Sequence, residues 1–191
     1  YHEHLFYYTL KTISGLIERY DLYIYDVMPS PISGGSWVVY FSKTKKQKSV
    51  KLLDLEQFEL KNKTNSYKSW ESFSEKVNQH ARKLREMVIH EDKKILAYGA
   101  SARSSTLLNF CRITSKHISS VIDKNPLKKG LMTAGSNIPI ISFEEGLKDI
   151  QDAEKILLLA WNFQDEIVKD LRESGFKGEF IIPLPGDPYI L

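Results

Sequence analysis

The apolar residues near the start of the chain recur at three- and four-residue intervals over residues 5–17, which is the spacing of an amphipathic helix. We expect this helix to end near Arg19 or Tyr20. Two β-rich runs follow at 22–28 and 36–42, and residues 29–35 between them are rich in Pro, Ser and Gly, as turns are. An isolated hairpin is only marginally stable. We therefore expect residues 1–43 to complete a sheet whose other strands precede Tyr1.

Residues 44–66 are polar and rich in Lys, Asn, Ser and Thr around a modest apolar patch at 50–60. This composition predicts a linker that docks on a neighbour, and it places a domain boundary within 44–66. The next apolar residues follow a helical spacing over 67–90, and Ser66 or Ser69 precedes them as a candidate N-cap. We therefore expect one long helix to open the second domain, residues 67–191.

The rest of the chain alternates short apolar strands with helical patterns. Strands are predicted at 95–98, 118–122, 138–141, 156–160 and 180–183, and helices at 101–110, 143–150 and 162–173. Strands with near-continuous apolar runs that alternate with helices are typical of a parallel sheet with helices on both faces. The fold class predicted for 67–191 is thus α/β, a Rossmann-like parallel sheet with flanking helices.

Composition narrows the function classes. The 191 residues carry a formal net charge of only +3 with scattered basic side chains, which argues against a nucleic-acid partner. The single cysteine, Cys111, excludes an internal disulfide and any cysteine-based metal site within this chain, and it fits a reducing compartment. Because no apolar run approaches the roughly 18 residues of a membrane span, we expect no membrane partner and a cytoplasmic location.

A first group of candidate residues lies in the turn between the 95–98 strand and the following helix. Small residues there allow backbone N–H groups and the helix dipole to face an anion. The turn has one glycine, Gly99, and not the GxGxxG motif, so close packing of strand and helix is an equally good interpretation. The candidate binding residues are Gly99 itself, the Arg103 guanidinium and the hydroxyls of Ser101, Ser104 and Thr106.

Asp123 lies 24 residues after Gly99, at the end of the next predicted strand. Rossmann folds place a ribose-binding acid at about this offset of roughly 20 residues. However, residues 123–126 also form a good turn sequence, which would explain Asp123 without a ligand. Asn125 and Lys128 of the same loop join Asp123 as candidate contacts, although a lysine there could simply be solvated.

A second group, Tyr1, Glu3 and His4, precedes the first helix. A histidine can act as a general base near neutral pH, and a carboxylate or phenol can orient it. The spacing alone favours the simpler interpretation that these are ordinary surface residues. Because the chain starts on these residues without an initiator methionine, we expect it to be part of a longer protein.

Taken in order, several of these segments resemble the sugar C-methyltransferases, the S-adenosylmethionine-dependent enzymes that methylate a ring carbon of nucleotide-linked deoxy-keto sugars. The resemblance covers nearly the whole chain. It rests on Tyr1 to Leu5, Ser33 to Ser36, Gly99 to Asn109, Asp123 to Pro126 with Lys128 and Gly130, and Leu159 to Asn162 with Glu166 and Ile167.

The resemblance implies a domain organisation. That family has a zinc-binding N-terminal domain, a class I methyltransferase domain and a C-terminal Rossmann-like domain. The zinc cysteines and the glycine-rich S-adenosylmethionine loop have no counterpart here, so residues 1–43 match only the last helix and hairpin of the methyltransferase sheet. Residues 44–66 then form the linker and 67–191 the C-terminal domain. Neither zinc nor S-adenosylmethionine is expected to bind to this part alone, which we expect to be inactive without the upstream methyltransferase domain.

The resemblance also implies roles for residues. His4 aligns with the proposed base that removes a proton beside the sugar ketone, while Tyr1 or another donor would stabilise the enolate oxygen and Glu3 would orient His4. The turn from Gly99 to Thr106 and the loop from Asp123 to Lys128 would contact the sugar nucleotide. Ser101, Arg103 and Ser104 depart from the proline, lysine and glycine that the family more often has. Two other functions remain open, a nucleotide-binding module without chemistry and a docking domain that uses the apolar patch at 50–60.

Overall fold

The structure is a computed structural model that describes residues 5–32, 35–89 and 95–191. The contacts divide the chain between Glu75 and Lys76 into two compact units, which are described separately. We call them the first unit (residues up to 75) and the second unit (76–191). The domain boundaries predicted at residues 43 and 66 stay predictions.

The first unit begins with helix α1, Leu10–Ile17, which a short 3₁₀ helix extends to Tyr20. The helix starts later than the residue 5 that was predicted, because Thr9 caps it. The Thr12 backbone N–H donates to Thr9 Oγ1, and the Thr9 backbone N–H donates to Thr12 Oγ1 over 2.8 Å. Residues 5–9 are not helical, and the apolar side chain of Leu5 is exposed.

Strands β1 (Tyr23–Ser30) and β2 (Ser36–Ser42) follow and pair antiparallel, as predicted. The next segment was predicted as a linker around a modest apolar patch that docks on a neighbour, and it contains a helix that was not predicted. Residues Val50–Lys61 form helix α2, whose N-cap Ser49 accepts a hydrogen bond from the Leu52 backbone N–H. Leu52 and Leu55 are buried in a small core, while Val50, Phe58 and Leu60 remain exposed.

Helix α3 spans Tyr67–Val88, and its last turns belong to the second unit. Of the two predicted caps, Ser66 is the one used, because its Oγ accepts a hydrogen bond from the Ser69 backbone N–H over 3.2 Å. Leu84 and Val88 at the end of α3 are fully buried against the strands.

The second unit contains a six-stranded sheet in the order β5-β4-β3-β6-β7-β8. The first five strands in that order are parallel and β8 pairs antiparallel with β7, which confirms the predicted Rossmann-like α/β fold. The two-residue strand β8 was not predicted. The strands are β3 (Ile95–Tyr98), β4 (Ile118–Ile122), β5 (Ile140–Ile141), β6 (Lys155–Leu158), β7 (Glu179–Ile182) and β8 (Tyr189–Ile190).

Helices cover both faces of this sheet, since its strands bury apolar side chains on both sides. Helices α3 and α4 (Ala102–Phe110) pack on the face to which Ile95 and Ala97 point. Helices α5 (Phe143–Asp152) and α6 (Gln164–Glu173) pack on the other face, with Leu96 and Tyr98. Among the described helices, none is both long enough and apolar enough to cross a membrane.

Candidate functional site

The chain order of the sheet creates a cleft at its centre. After β3 the chain crosses to β4 on one side, and the later strand β6 pairs with β3 on the other side. The loops that leave the carboxyl ends of β3 and β6 therefore diverge, which is where open α/β sheets bind ligands. A cleft of about 410 Å³ lies at this point, lined by residues 101–103 and 159–163. We call it the switch-point cleft.

Gly99 allows the two loops to approach each other closely. Its φ is +97°, and a Cβ at this position would lie 2.5 Å from the Ala160 Cβ and 3.0 Å from the Ala160 backbone nitrogen. The Gly99 backbone N–H also donates to the Ile122 carbonyl over 2.8 Å. Gly99 therefore has the packing role that the sequence left open, because it lets the turn after β3 lie against Ala160 in the loop after β6.

The start of α4 is held by a reciprocal capping box. The Ser104 backbone N–H donates to Ser101 Oγ and the Ser101 backbone N–H donates to Ser104 Oγ, each over 3.1 Å. Ser104 is fully buried, and its hydroxyl donates to the Gly99 carbonyl over 2.8 Å. The Thr106 hydroxyl donates to the Ala102 carbonyl within α4. The hydroxyls of Ser104 and Thr106 are thus used by the chain itself.

This cap leaves positive potential facing the cleft. The backbone N–H groups of Ala102 and Arg103 occupy the first turn of α4, where no intrahelical partner exists. The Arg103 side chain lines the cleft and is half-buried, and among the described residues its guanidinium has no hydrogen bond or ion pair. A helix N-terminus and a free guanidinium together are suited to an anion such as a phosphate.

Asp123, Asn125 and Lys128 tie two loops together. Asp123 Oδ2 accepts from the Ala100 backbone N–H over 2.7 Å and from Lys128 Nζ over 2.9 Å, while Oδ1 accepts from the Asn125 backbone N–H over 2.9 Å. Lys128 Nζ also donates to the Ala100 carbonyl over 2.6 Å, and Asn125 Oδ1 accepts from the Leu127 backbone N–H. These bonds fix the turn after β3 against the loop after β4.

A second cleft of about 380 Å³ shares Ala160 and Phe163 with the switch-point cleft, and we call it the Tyr98 cleft. Tyr98, the last residue of β3, is 4% exposed, and its hydroxyl oxygen is buried without a partner among the described residues. Burial raises the pKa of this phenol above its ordinary value. Lys124 lines the same cleft and forms a 2.5 Å ion pair with Asp170, which raises the pKa of Lys124.

Comparison with known proteins identifies the family. A family sequence model described as the C-methyltransferase C-terminal domain matches residues 31–185. The chain belongs to the C-methyltransferase C-terminal domain family. It is also similar to the C-methyltransferase NovU of Streptomyces niveus, with 32% identity over 193 residues, which cover 97% of this chain and 45% of NovU. The chain therefore spans less than half the length of this relative.

The predicted catalytic residues of this C-methyltransferase family member, Tyr1, Glu3 and His4, lie outside the described residues, so their roles stay predictions. Within the described ranges there is no group of three or more His, Cys, Asp or Glu side chains that could hold a metal ion. Cys111 is buried, and burial raises its thiol pKa to about 11, so it is a poor metal ligand.

The structure brings Ser101 and Arg103 of the predicted residues to the switch-point cleft, and Gly99, Asp123 and Asn125 to the Tyr98 cleft. It adds lining residues that the sequence analysis did not select as binding residues, namely Tyr98, Trp161, Phe163 and Glu166. Trp161 lies in the connection that follows β6, and the rule that ligands bind at the carboxyl ends of neighbouring parallel strands would have indicated it. The Tyr98 side chain had no such signal, because its position at the end of an apolar strand resembles that of a core residue.

Proposed function

We propose that this chain is the C-terminal part of an S-adenosylmethionine-dependent enzyme that methylates a carbon of a nucleotide-linked keto-deoxysugar. In this proposal the second unit binds the nucleotide diphosphate, and the switch-point cleft receives its phosphates. The proposal rests chiefly on Arg103, an unpaired guanidinium beside the free N–H groups of α4 in a chain of this family. The sugar substrate, S-adenosylmethionine as the methyl donor and the binding roles of these residues are all part of the proposal.

The electrostatics of the cleft favour a dianion or trianion. The free N–H groups of Ala102 and Arg103 provide hydrogen-bond donors, and the partial positive charge of a helix N-terminus adds to them. The Arg103 guanidinium can bind two phosphate oxygens at once. Each charge-assisted hydrogen bond of this kind contributes about 1.5–3 kcal/mol, so Arg103 alone accounts for roughly a tenfold to hundredfold change in affinity.

Gly99, Ser104 and Asp123 would act as positioning residues. Gly99 lets the two loops approach, the Ser104 hydroxyl holds the Gly99 carbonyl, and Asp123 holds the Ala100 N–H. These contacts fix the turn before any ligand arrives, which lowers the ordering cost of binding. Asp123 would then orient the loop through its carboxylate, and a direct bond to ribose would have to replace one of its existing bonds.

The chemical step is assigned to residues that the structure does not describe. We keep His4 as the base that removes a proton beside the ketone, with Tyr1 and Glu3 assisting it. S-adenosylmethionine would supply the methyl group when bound. The described residues offer no metal cluster, so they do not fit the zinc ion, and we assign zinc and the methyl donor to an upstream part of the protein.

The β1–β2 hairpin supports an upstream partner domain. Trp37, Val38 and Phe41 are large apolar side chains of β2, and each remains exposed within the first unit. A two-stranded sheet with exposed apolar side chains is marginal alone and suited to joining another sheet. We therefore assign this hairpin to the edge of the methyltransferase sheet, in agreement with the 45% coverage of NovU.

Calorimetry with thymidine diphosphate tests the nucleotide site. The 191-residue chain should bind thymidine diphosphate, and Arg103→Ala should weaken binding at least tenfold because a charge-assisted contact is lost. Arg112→Ala is the matched control, since Arg112 is an exposed arginine that follows the opposite end of α4. S-adenosylmethionine should give no heat with this chain.

The outcomes test the nucleotide site and separate it from a pure docking function. Nucleotide binding that depends on Arg103 supports the proposal, and equal loss in the Arg103 and Arg112 variants would show a diffuse charge effect instead. No nucleotide binding, together with a stable complex between this chain and a methyltransferase domain, would favour a pure docking domain. Binding of S-adenosylmethionine to this chain would contradict the assignment of the methyl donor to an upstream part.

A further inference from the structure

The Tyr98 hydroxyl is one of three buried side-chain polar atoms without a hydrogen-bond partner among the described residues, and Tyr98 is the one of the three that lines a cleft described above. The hydroxyl belongs to a side chain that is 4% exposed. Leaving a buried hydroxyl unpaired is unfavourable compared with pairing it. Tyr98 lines an open cleft together with Lys124 and Glu166.

The charge of the Tyr98 cleft differs from that of the switch-point cleft. Asp123 is paired with Lys128, and Lys124 is paired with Asp170. Glu166 has no hydrogen bond or ion pair among the described residues, so this cleft carries one unpaired negative charge. A phosphate would be repelled in the Tyr98 cleft, whereas Arg103 would attract it in the switch-point cleft.

The walls of the Tyr98 cleft suit a flat, uncharged ring. Phe163 is 63% exposed and presents an aromatic face, while Ala160 and Ile167 add apolar surface. Donors come from the Tyr98 hydroxyl and from the amide nitrogen of Asn125, whose Oδ1 is already used by the Leu127 N–H. Glu166 supplies an acceptor. A heterocyclic base carries both donors and acceptors on its edge and stacks on aromatic rings.

The two clefts share Ala160 and Phe163, so one ligand can occupy both. We infer that the Tyr98 cleft binds the heterocyclic base of the nucleotide, with a hydrogen bond from the Tyr98 hydroxyl and stacking on Phe163, while the diphosphate lies in the switch-point cleft. This inference rests on the proposed nucleotide function. A phenol is protonated at neutral pH, and burial shifts the Tyr98 pKa further upwards, so its O–H is available as a donor.

Calorimetry of the 191-residue chain with three probes tests the inference. Tyr98→Phe should lower the affinities for thymidine and for thymidine diphosphate by the same factor, about fivefold to tenfold. The affinity for inorganic pyrophosphate should not change. Arg103→Ala should lower the affinities for thymidine diphosphate and pyrophosphate and leave the affinity for thymidine unchanged. Tyr20→Phe is the matched control, because Tyr20 is an exposed tyrosine of the first unit.

The folding of the variants is checked by thermal denaturation. Tyr98→Phe removes a hydroxyl that has no protein partner, so its midpoint should stay equal or rise. Phe163→Ala is a second variant, at an exposed side chain. It should lower the affinity for thymidine at least fivefold, because stacking on the Phe163 ring is lost. The two variants therefore test the same base site independently.

The results distinguish this inference from the proposed function. An affinity for thymidine that is unchanged in both Tyr98→Phe and Phe163→Ala would overturn the base site. Displacement of thymidine by free ribose would also overturn it, because the bound group would then be the sugar. Pyrophosphate binding that depends on Arg103, without any thymidine binding, would support the phosphate site and overturn the base site alone. Absence of binding by all three probes would overturn both.

Discussion

Replacing Gly99 with alanine tests the packing at the switch point. A non-glycine residue at φ +97° costs about 1–2 kcal/mol from backbone strain. The new Cβ would also lie 2.5 Å from the Ala160 Cβ and 3.0 Å from the Ala160 backbone nitrogen. Overpacking of this kind costs about 1–3 kcal/mol. Gly99→Ala should therefore lower the free energy of unfolding of the second unit by about 2–5 kcal/mol.

Urea unfolding followed by Trp161 fluorescence measures this change. In a Trp37→Phe, Trp70→Phe background, Trp161 is the remaining tryptophan and reports on the second unit. Gly130→Ala is the matched control, because Gly130 has a φ of +77° but no atom within 4 Å of the new Cβ. It should therefore show only the strain part, about 1–2 kcal/mol.

A double variant separates strain from overlap. Ala160→Gly removes the nearest atom, the Ala160 Cβ, and should recover part of the loss in Gly99→Ala, leaving the strain and the contact with the Ala160 backbone nitrogen. If Gly99→Ala cost no more than Gly130→Ala, the close approach of the two loops would be refuted. If Ala160→Gly recovered nothing, the overlap would not lie at the Ala160 side chain.

Three further predictions concern groups away from the clefts. Burial, with the charges of Arg85 and Lys116, holds the His117 pKa below its ordinary 6.5, so the unfolded chain binds more protons below that pH. The free energy of unfolding should therefore fall as the pH drops below about 6.5, and His117→Asn, which keeps an acceptor for the Thr114 N–H, should flatten this slope in urea titrations. The Cys111 thiol, buried and with its pKa raised to about 11, should resist a thiol-specific reagent at pH 8 until the chain unfolds; rapid labelling of the native chain would contradict its burial. Nothing lies within 4 Å of a new Cβ at Gly15 in α1, so Gly15→Ala should raise the free energy of unfolding of the first unit by about 0.5–1 kcal/mol. Its thermal midpoint should therefore rise, and a lower midpoint would contradict this.

The Rossmann-like sheet could be predicted because its strands are buried on both faces and are therefore short continuous apolar runs, such as 95–98 and 156–158. Helix α2 was missed because only Leu52 and Leu55 of its twelve residues are buried, which leaves a weak periodic signal. Strand β8 consists of Tyr189 and Ile190 alone, and its pairing with β7 depends on tertiary structure and not on local propensity.

The candidate site was predictable to a similar degree. Gly99 and Arg103 were selected because a strand, a small-residue turn and a helix are adjacent in sequence. The internal bonds of Asp123 and Ser104 were not predictable, because Asp123 bonds to Ala100 from 23 residues away and the burial of Ser104 depends on packing. The unpartnered Tyr98 hydroxyl emerges only when the surrounding helices are in place.

Backbone amide resonances provide the most direct test of the nucleotide site. Thymidine diphosphate would be titrated into the ¹⁵N-labelled chain while the amide resonances of Ala102 and Arg103 are followed. These two amides, which have no intrahelical partner at the start of α4, should shift most and saturate together. Absence of shifts at α4, with the largest changes elsewhere in the chain, would contradict the claim that the switch-point cleft binds the diphosphate.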